Sequence, residues 1–262
     1  MKKKHAGIFA AASVLCAGKA AAQEIVRDTV RVQSESALIG LRPALYNLPA
    51  DKIFINHFIS ENPDADLQTM IKMLNLNHRF ALAHEKKHAE NAKIILSGFS
   101  AAQIAEFCIY DEVSARLTDM AERRKVLAET GDFTQAFAGE ILFDSNGREV
   151  GYMNQDAYLY YKFLSGKKIK SAPDEKEINA MLDAIAAGLK NDTEQYAQEF
   201  ASMTSYRIKV QTGGTPSDFG DVCAGMFEIG GIDFYKPARL KKIAAMFLGS
   251  RNINLLSKSR QM

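Results

Sequence analysis

Residues 80–91 read FALAHEKKHAEN, and three of them, His84, Glu85 and His88, have the types and spacing for metal-assisted hydrolysis. On a helix, residues four apart lie one turn above each other, so both imidazoles can reach one cation. Glu85 falls about 100° round from His84, where a carboxylate can reach a water activated by that cation. A site of this kind needs a further ligand. The stretch FCIYDEVSARL at 107–117 offers Glu112.

The elements that must position these groups are two helices. At about 100° per residue, Phe80, Asn91 and Ile95 share the stripe of the two histidines, while Arg79, Lys86, Lys87, Glu90 and Lys93 gather on the opposite arc. The pattern predicts a helix from about Asn77 to Ser97, with the imidazoles inward and the charges in water. Gly98 marks its stop. Ser100 with Gln103 makes a capping box, and Phe99 with Ile104 a hydrophobic staple, so a second helix should run from Ala101 to about Glu129 and end near Gly131. His88 is about 15 Å of helix before Gly98 and Glu112 about 18 Å after Ser100, which sets Glu112 level with residue 86 if the helices are antiparallel. The bland alternative is a pair of hydrogen-bonded core histidines. Two histidines beside Glu85 on a buried face need several polar partners at once, and a single cation is the simplest.

An H-E-x-x-H followed on a downstream helix by E-x-x-A, here Glu112 and Ala115, resembles the gluzincin-type metallopeptidases over about residues 76–120. The resemblance implies zinc held by His84, His88 and Glu112, Glu85 as general base, and a peptide or protein substrate. It implies an α+β, mostly helical fold with a zincin-like core in which the two helices form an antiparallel hairpin. One position departs from the pattern. Many gluzincins carry an aspartate four residues after the third ligand to orient a histidine, and this chain has Arg116 there. Either Asp111 or Asp119 takes that role, or the first histidine is held otherwise. The third histidine of metzincins is absent, its position being Ile94. Tyr158, Tyr160, Tyr161 and Arg116 are the candidates to stabilise a developing oxyanion.

The chain opens MKKKHAGIFAAASVLCAGKAAAQE, in which Lys2, Lys3 and Lys4 precede a short apolar core and an Ala20-Ala21-Ala22 site. That order predicts a secretory signal over 1–22 and a periplasmic or secreted protein. Without it, 33 basic side chains become 29 against 31 acidic ones, a net charge of −2, so the charge balance gives no reason to expect a nucleic acid partner. The 240 residues left of 262 suit one large domain or two small ones, read as a metallopeptidase core over 23–153 and a mostly helical region over 154–262. No later apolar run is long enough for a membrane helix. Cys108 and Cys223 are either a disulfide or two packed thiols.

Elsewhere, IVRDTVRV within 23–33 and IFINHFI at 53–59 predict strands, the second read as the edge to which an extended substrate adds. Pro63 and Asp64 open a helix in DADLQTMIKML. EILFDSNGREVGYM at 140–153 predicts a hairpin with a two-residue type I′ turn at Asn146-Gly147. Helical patterns follow at 155–164, 173–190 and 193–205, then a glycine-rich region at 213–231 and a basic helix near 237–248. Two rivals to the peptidase reading remain: an exported helical binding or structural protein, and a hydrolase of cell-wall amide bonds.

Overall fold

The computed structural model describes residues 23–38, 41–93, 101–169 and 172–191, with backbone alone for 101–106, 108 and 109. The expected signal, the Gly98 stop, the Phe99 and Ser100 cap, the Cys108 to Cys223 pairing and the elements expected beyond residue 191 lie outside what is described. The chain is a mixed α+β protein, with two small sheets among the described residues.

Three strands, β1 (Glu24–Arg31), β2 (Ala44–Asn47) and β3 (Lys52–Ile59), form the first sheet in the order β1-β3-β2. β3 runs parallel to β1 and antiparallel to β2, with Ile53, Ile55 and Phe58 buried. The expectation that 53–59 forms a sheet edge is therefore wrong. β3 is central: β1 pairs along its whole length and β2 with Lys52–Ile55, and beyond that the Phe58 amide and carbonyl bond Asn75, whereas the four-residue β2 is an edge.

Helix α1 (Ala65–Leu76) begins where Asp64 Oδ1 accepts from the Asp66 and Leu67 amides, and its Leu67 and Ile71 pack on Phe58 and Val32. Asn77 alone separates it from α2 (His78–Asn91), which closes at Ala92 rather than at Ser97. α3 (Ala101–Thr130) ends at Gly131, whose φ of 68° is the left-handed stop expected there. Among the described residues, no helix is long and apolar enough to cross a membrane.

α2 lies along α3 with residue numbers running in opposite directions. Arg79 Nε donates to Glu122 at one end, and Asn91 Nδ2 to Asp111 at the other. Below them come α4 (Phe133–Ala136), the pair β4 (Ile141–Phe143) and β5 (Glu149–Tyr152), then α5 (Gln155–Leu164) and α6 (175–191). Phe107, Met120 and Leu127 of α3 share one hydrophobic core with Ile141, Leu164 and Ile185, so residues on both sides of position 153 fill it together.

The β4-β5 hairpin forms where expected but turns differently. A type I′ turn needs positive φ at both central residues, and here only Gly147 has it, at 73°. Asp144 sets the turn: its carbonyl accepts from the Gly147 amide, its own amide donates to Arg148 O, and its carboxylate accepts from the Asn146 and Arg148 amides. The loop is thus three residues long with glycine at its left-handed position.

Beneath α2, Gly139 has φ 82°, and a Cβ added there would sit 2.6 Å from Asn77 Cβ and 3.0 Å from Met73 O. Gly139→Ala is expected to lower stability by about 2–4 kcal/mol through overpacking and left-handed strain, read as a shift in the chemical denaturation midpoint. A second prediction concerns its neighbour. Burial pushes Glu140 up to about 7, helped by the Asp119 and Asp156 carboxylates and opposed by Arg123 and Asn77. The folded state then holds this proton more tightly than the unfolded chain. Its stabilising effect is complete below about pH 4.5 and is lost as pH rises through 7, so wild type should lose up to about 3 kcal/mol relative to Glu140→Gln between pH 4.5 and 8. A stability difference between the two proteins that is flat across that range would show that Glu140 ionises normally.

Candidate metal centre

The helix pair brings His84, His88 and Glu112 together, with one potential ligand atom from each lying within 4.8 Å of the others. The two imidazoles meet edge to face, ring centroids 4.7 Å apart and Nε2 to Nε2 3.0 Å. Glu112 Oε2 lies 3.4 Å from His88 Nε2, and Oε1 lies 4.0 Å from His84 Nε2. The sequence spacing sets Glu112 level with residue 86; its carboxylate stands nearer His88 than His84, and the neighbouring Asp111 bonds His88 and Asn91.

His88 is held from behind. Its Nδ1 donates to Asp111 Oδ2 at 2.8 Å, because a carboxylate can only accept, and this leaves the neutral ring's lone pair on Nε2, facing His84 and Glu112. Asn91 fixes Asp111 in turn: Nδ2 donates to Asp111 Oδ1 and to Ser114 Oγ, each at 2.8 Å, and Ser114 Oγ donates to the Asp111 carbonyl. Of the two acids named to orient a histidine, the structure assigns Asp111, and to the second histidine. Asp119 instead pairs with Arg123. Burial opposes a charge on His88, but Asp111 and Glu112 outweigh it and hold the ring well above its ordinary 6.5.

Glu112 carries the opposite balance. Burial works against its charge, yet Arg116 and the two histidines outweigh burial and hold the carboxyl well below its usual range. Arg116 Nε donates to Glu112 Oε1 at 2.8 Å, and its Nη1 donates to Asp156 Oδ2 at 3.1 Å.

Glu85 is buried on a different side of α2. Its Oε2 accepts from the Tyr46 amide at 2.7 Å, tying the residue after His84 to edge strand β2, while Ala89 packs with Tyr46 and Ile53. The sequence offered no signal for this contact. The four residues of β2 are too few to show an alternating pattern.

The remaining candidates disperse. Tyr160 is fully buried and donates to Glu177, Tyr161 packs among Phe133, Phe137 and Phe143, and Tyr158 stacks on Tyr152 at the surface. Of the four oxyanion candidates only Arg116 stands at the cluster. His78 bonds the Asn56 carbonyl, with its ring 6.0 Å from that of His57, apart from the site. Asp156 was not legible as a site residue, since nothing local links it to a glutamate on another helix.

The donor set suits zinc. Zinc bonds of about 2.0–2.2 Å at tetrahedral angles separate ligand atoms by about 3.3–3.6 Å. Two of the three separations, Nε2 to Nε2 at 3.0 Å and His88 Nε2 to Oε2 at 3.4 Å, stand within a few tenths of an ångström of that spacing, while His84 Nε2 lies 4.0 Å from Glu112 Oε1. The oriented His88 and its carboxylate partner repeat the support that metal-bound imidazoles usually have.

The Asp111 network makes a prediction that needs no metal. In Asp111→Asn, Asn91 holds the amide oxygen on its own side, so the new NH2 group faces His88 Nδ1 and cannot accept from it. The His88 titration midpoint should fall, and the neutral ring should switch its proton to Nε2, both read from ring nitrogen chemical shifts. An unchanged midpoint would show that Asp111 does not hold this ring. Comparison with known proteins returns no family model, no curated protein and no solved structure that matches this chain.

Proposed function

We propose that this protein is an exported zinc-dependent hydrolase of peptide bonds, with zinc on His84, His88 and Glu112 and a zincin-like core built on the α2 and α3 hairpin. The observation that carries this reading is the convergence of two imidazole nitrogens and a carboxylate, with Asp111 fixing the tautomer that turns a lone pair inward. Three protein ligands leave a position for water or substrate, as catalytic rather than structural zinc sites do. When bound, the ion supplies Lewis acidity and a water that ionises near neutral pH.

The chain's own part falls to Glu85. Its carboxylate, one residue from His84 and held through Oε2 by the Tyr46 amide, would take a proton from the attacking water and deliver it to the leaving amine once it turns its other oxygen toward the cluster. The slightly acidic balance expected without residues 1–22 gives no reason to expect a nucleic acid partner.

One observation favours a second reading. Arg116 occupies the place where gluzincins keep an acid, and it already pairs with Glu112 at 2.8 Å, which would suit an exported binding or structural protein whose cluster only packs.

Zinc analysis of the purified protein separates the two. About one zinc per chain is expected, with far weaker retention in His84→Ala and Glu112→Ala. Glu85→Gln should keep the zinc and lose about 100- to 10,000-fold in cleavage of denatured casein. Full activity in that variant would remove Glu85 as the base, and turnover of peptidoglycan alone would move the substrate to cell-wall amides.

A further inference from the structure

The acid expected after the third ligand is replaced by a cation, and the cation is anchored at both ends. Arg116 Nε reaches Glu112 Oε1 one turn back on α3, and Nη1 reaches Asp156 Oδ2 at the start of α5. A third element closes over this pair. A Cβ added at Gly188 of α6 would lie 2.9 Å from Asp156 Cβ and 3.0 Å from Arg116 Nη1, so the helix passes at a distance only glycine allows.

The consequence for Glu112 is a division of its two oxygens. Oε1 is committed to a guanidinium that cannot swing away, and Oε2 is the oxygen 3.4 Å from His88 Nε2. An unsupported glutamate could turn both oxygens to a cation or neither. One whose Oε1 is fixed by a planar donor offers a single oxygen in one direction.

We propose that Arg116, clamped by Asp156 beneath Gly188, is a positioning residue that presents Glu112 to the zinc through Oε2 alone. This rests on the zinc reading above and extends it: residues 154–191 set the geometry of a site whose ligands all lie before residue 113. Lysine would not serve, because a point charge cannot bridge Glu112 and Asp156 in one plane.

The test compares wild type with Arg116→Met, Asp156→Asn and Gly188→Ala. It measures zinc affinity by chelator competition, the visible spectrum of the cobalt-substituted protein, and the thermal unfolding of each metal-free protein. The expected result is zinc binding about 10- to 100-fold weaker in Arg116→Met and Asp156→Asn. Their cobalt spectra should weaken as Glu112 becomes bidentate and coordination rises, and Gly188→Ala should move the same way by a smaller factor. Metal-free unfolding should stay cooperative, so that lost affinity is not lost fold. Wild-type affinity and spectrum in Arg116→Met would overturn the proposal while leaving the zinc site standing. Weaker binding with an unchanged cobalt spectrum and a collapsed unfolding transition would also overturn it, by making Arg116 a purely structural cation. A wild-type protein that takes no zinc would overturn both readings together.

Discussion

Burying Arg123 is the constraint from which the rest of the arrangement follows. A guanidinium does not shed its proton in a protein, so at 1% exposure its charge must be met by fixed partners. Those partners come from four places. Asp119 lies a turn back on α3, Asn77 Oδ1 accepts at 2.7 Å from the start of α2, the Ala136 carbonyl from α4 at 3.2 Å, and Glu140 from just before β4 at 3.2 Å. The Phe80 ring covers the guanidinium at 4.2 Å. Removing one partner from such a group costs about 3–5 kcal/mol, so the network specifies one arrangement of these elements more than it adds stability.

That specification reaches the site through helical geometry. Asn77 and Phe80 face Arg123, and the same stripe of α2 continues through His84, His88 and Asn91, so fixing the first turn fixes which way the imidazoles point. On α3, Glu112, Arg116, Asp119 and Arg123 recur at helical spacing as a stripe of alternating charge, partly buried at Glu112, Arg116 and Asp119 and fully buried at Arg123. Register at one end of the pair therefore sets register at the other, about 16 Å away along the helix.

Much of this was legible because helices encode their neighbours in periodicity. The stripe of His84, His88, Phe80 and Asn91 follows from 3.6 residues per turn, and the end of α3 from the glycine at 131. Strand pairing has no such local code. IFINHFI reads as a strand, but whether it is central or at an edge depends on where a four-residue segment beginning at Ala44 pairs. The Asn146-Gly147 dipeptide located a hairpin without fixing its turn, because the Asp144 carboxylate, two residues earlier, selected a different loop. Asp111 was one of two possible orienting acids, and only the meeting of two helices could decide between them. Asp156 and Gly188 reach the site from helices that the motif does not include.

Charge makes the last connection between the departure at Arg116 and the chemistry of the cluster. The groups joined by hydrogen bonds and ion pairs around the two imidazoles are three carboxylates, Asp111, Glu112 and Asp156, and one guanidinium, Arg116. The carboxylates outnumber the guanidinium in this set, which is why the His88 ring is held well above its ordinary 6.5. An aspartate at position 116 would instead stand beside both Glu112 and the buried Asp156, three carboxylates with no guanidinium between them. Arginine at 116 and aspartate at 156 thus belong together: the guanidinium on α3 is met by the acid brought in from α5 as well as by Glu112 one turn back.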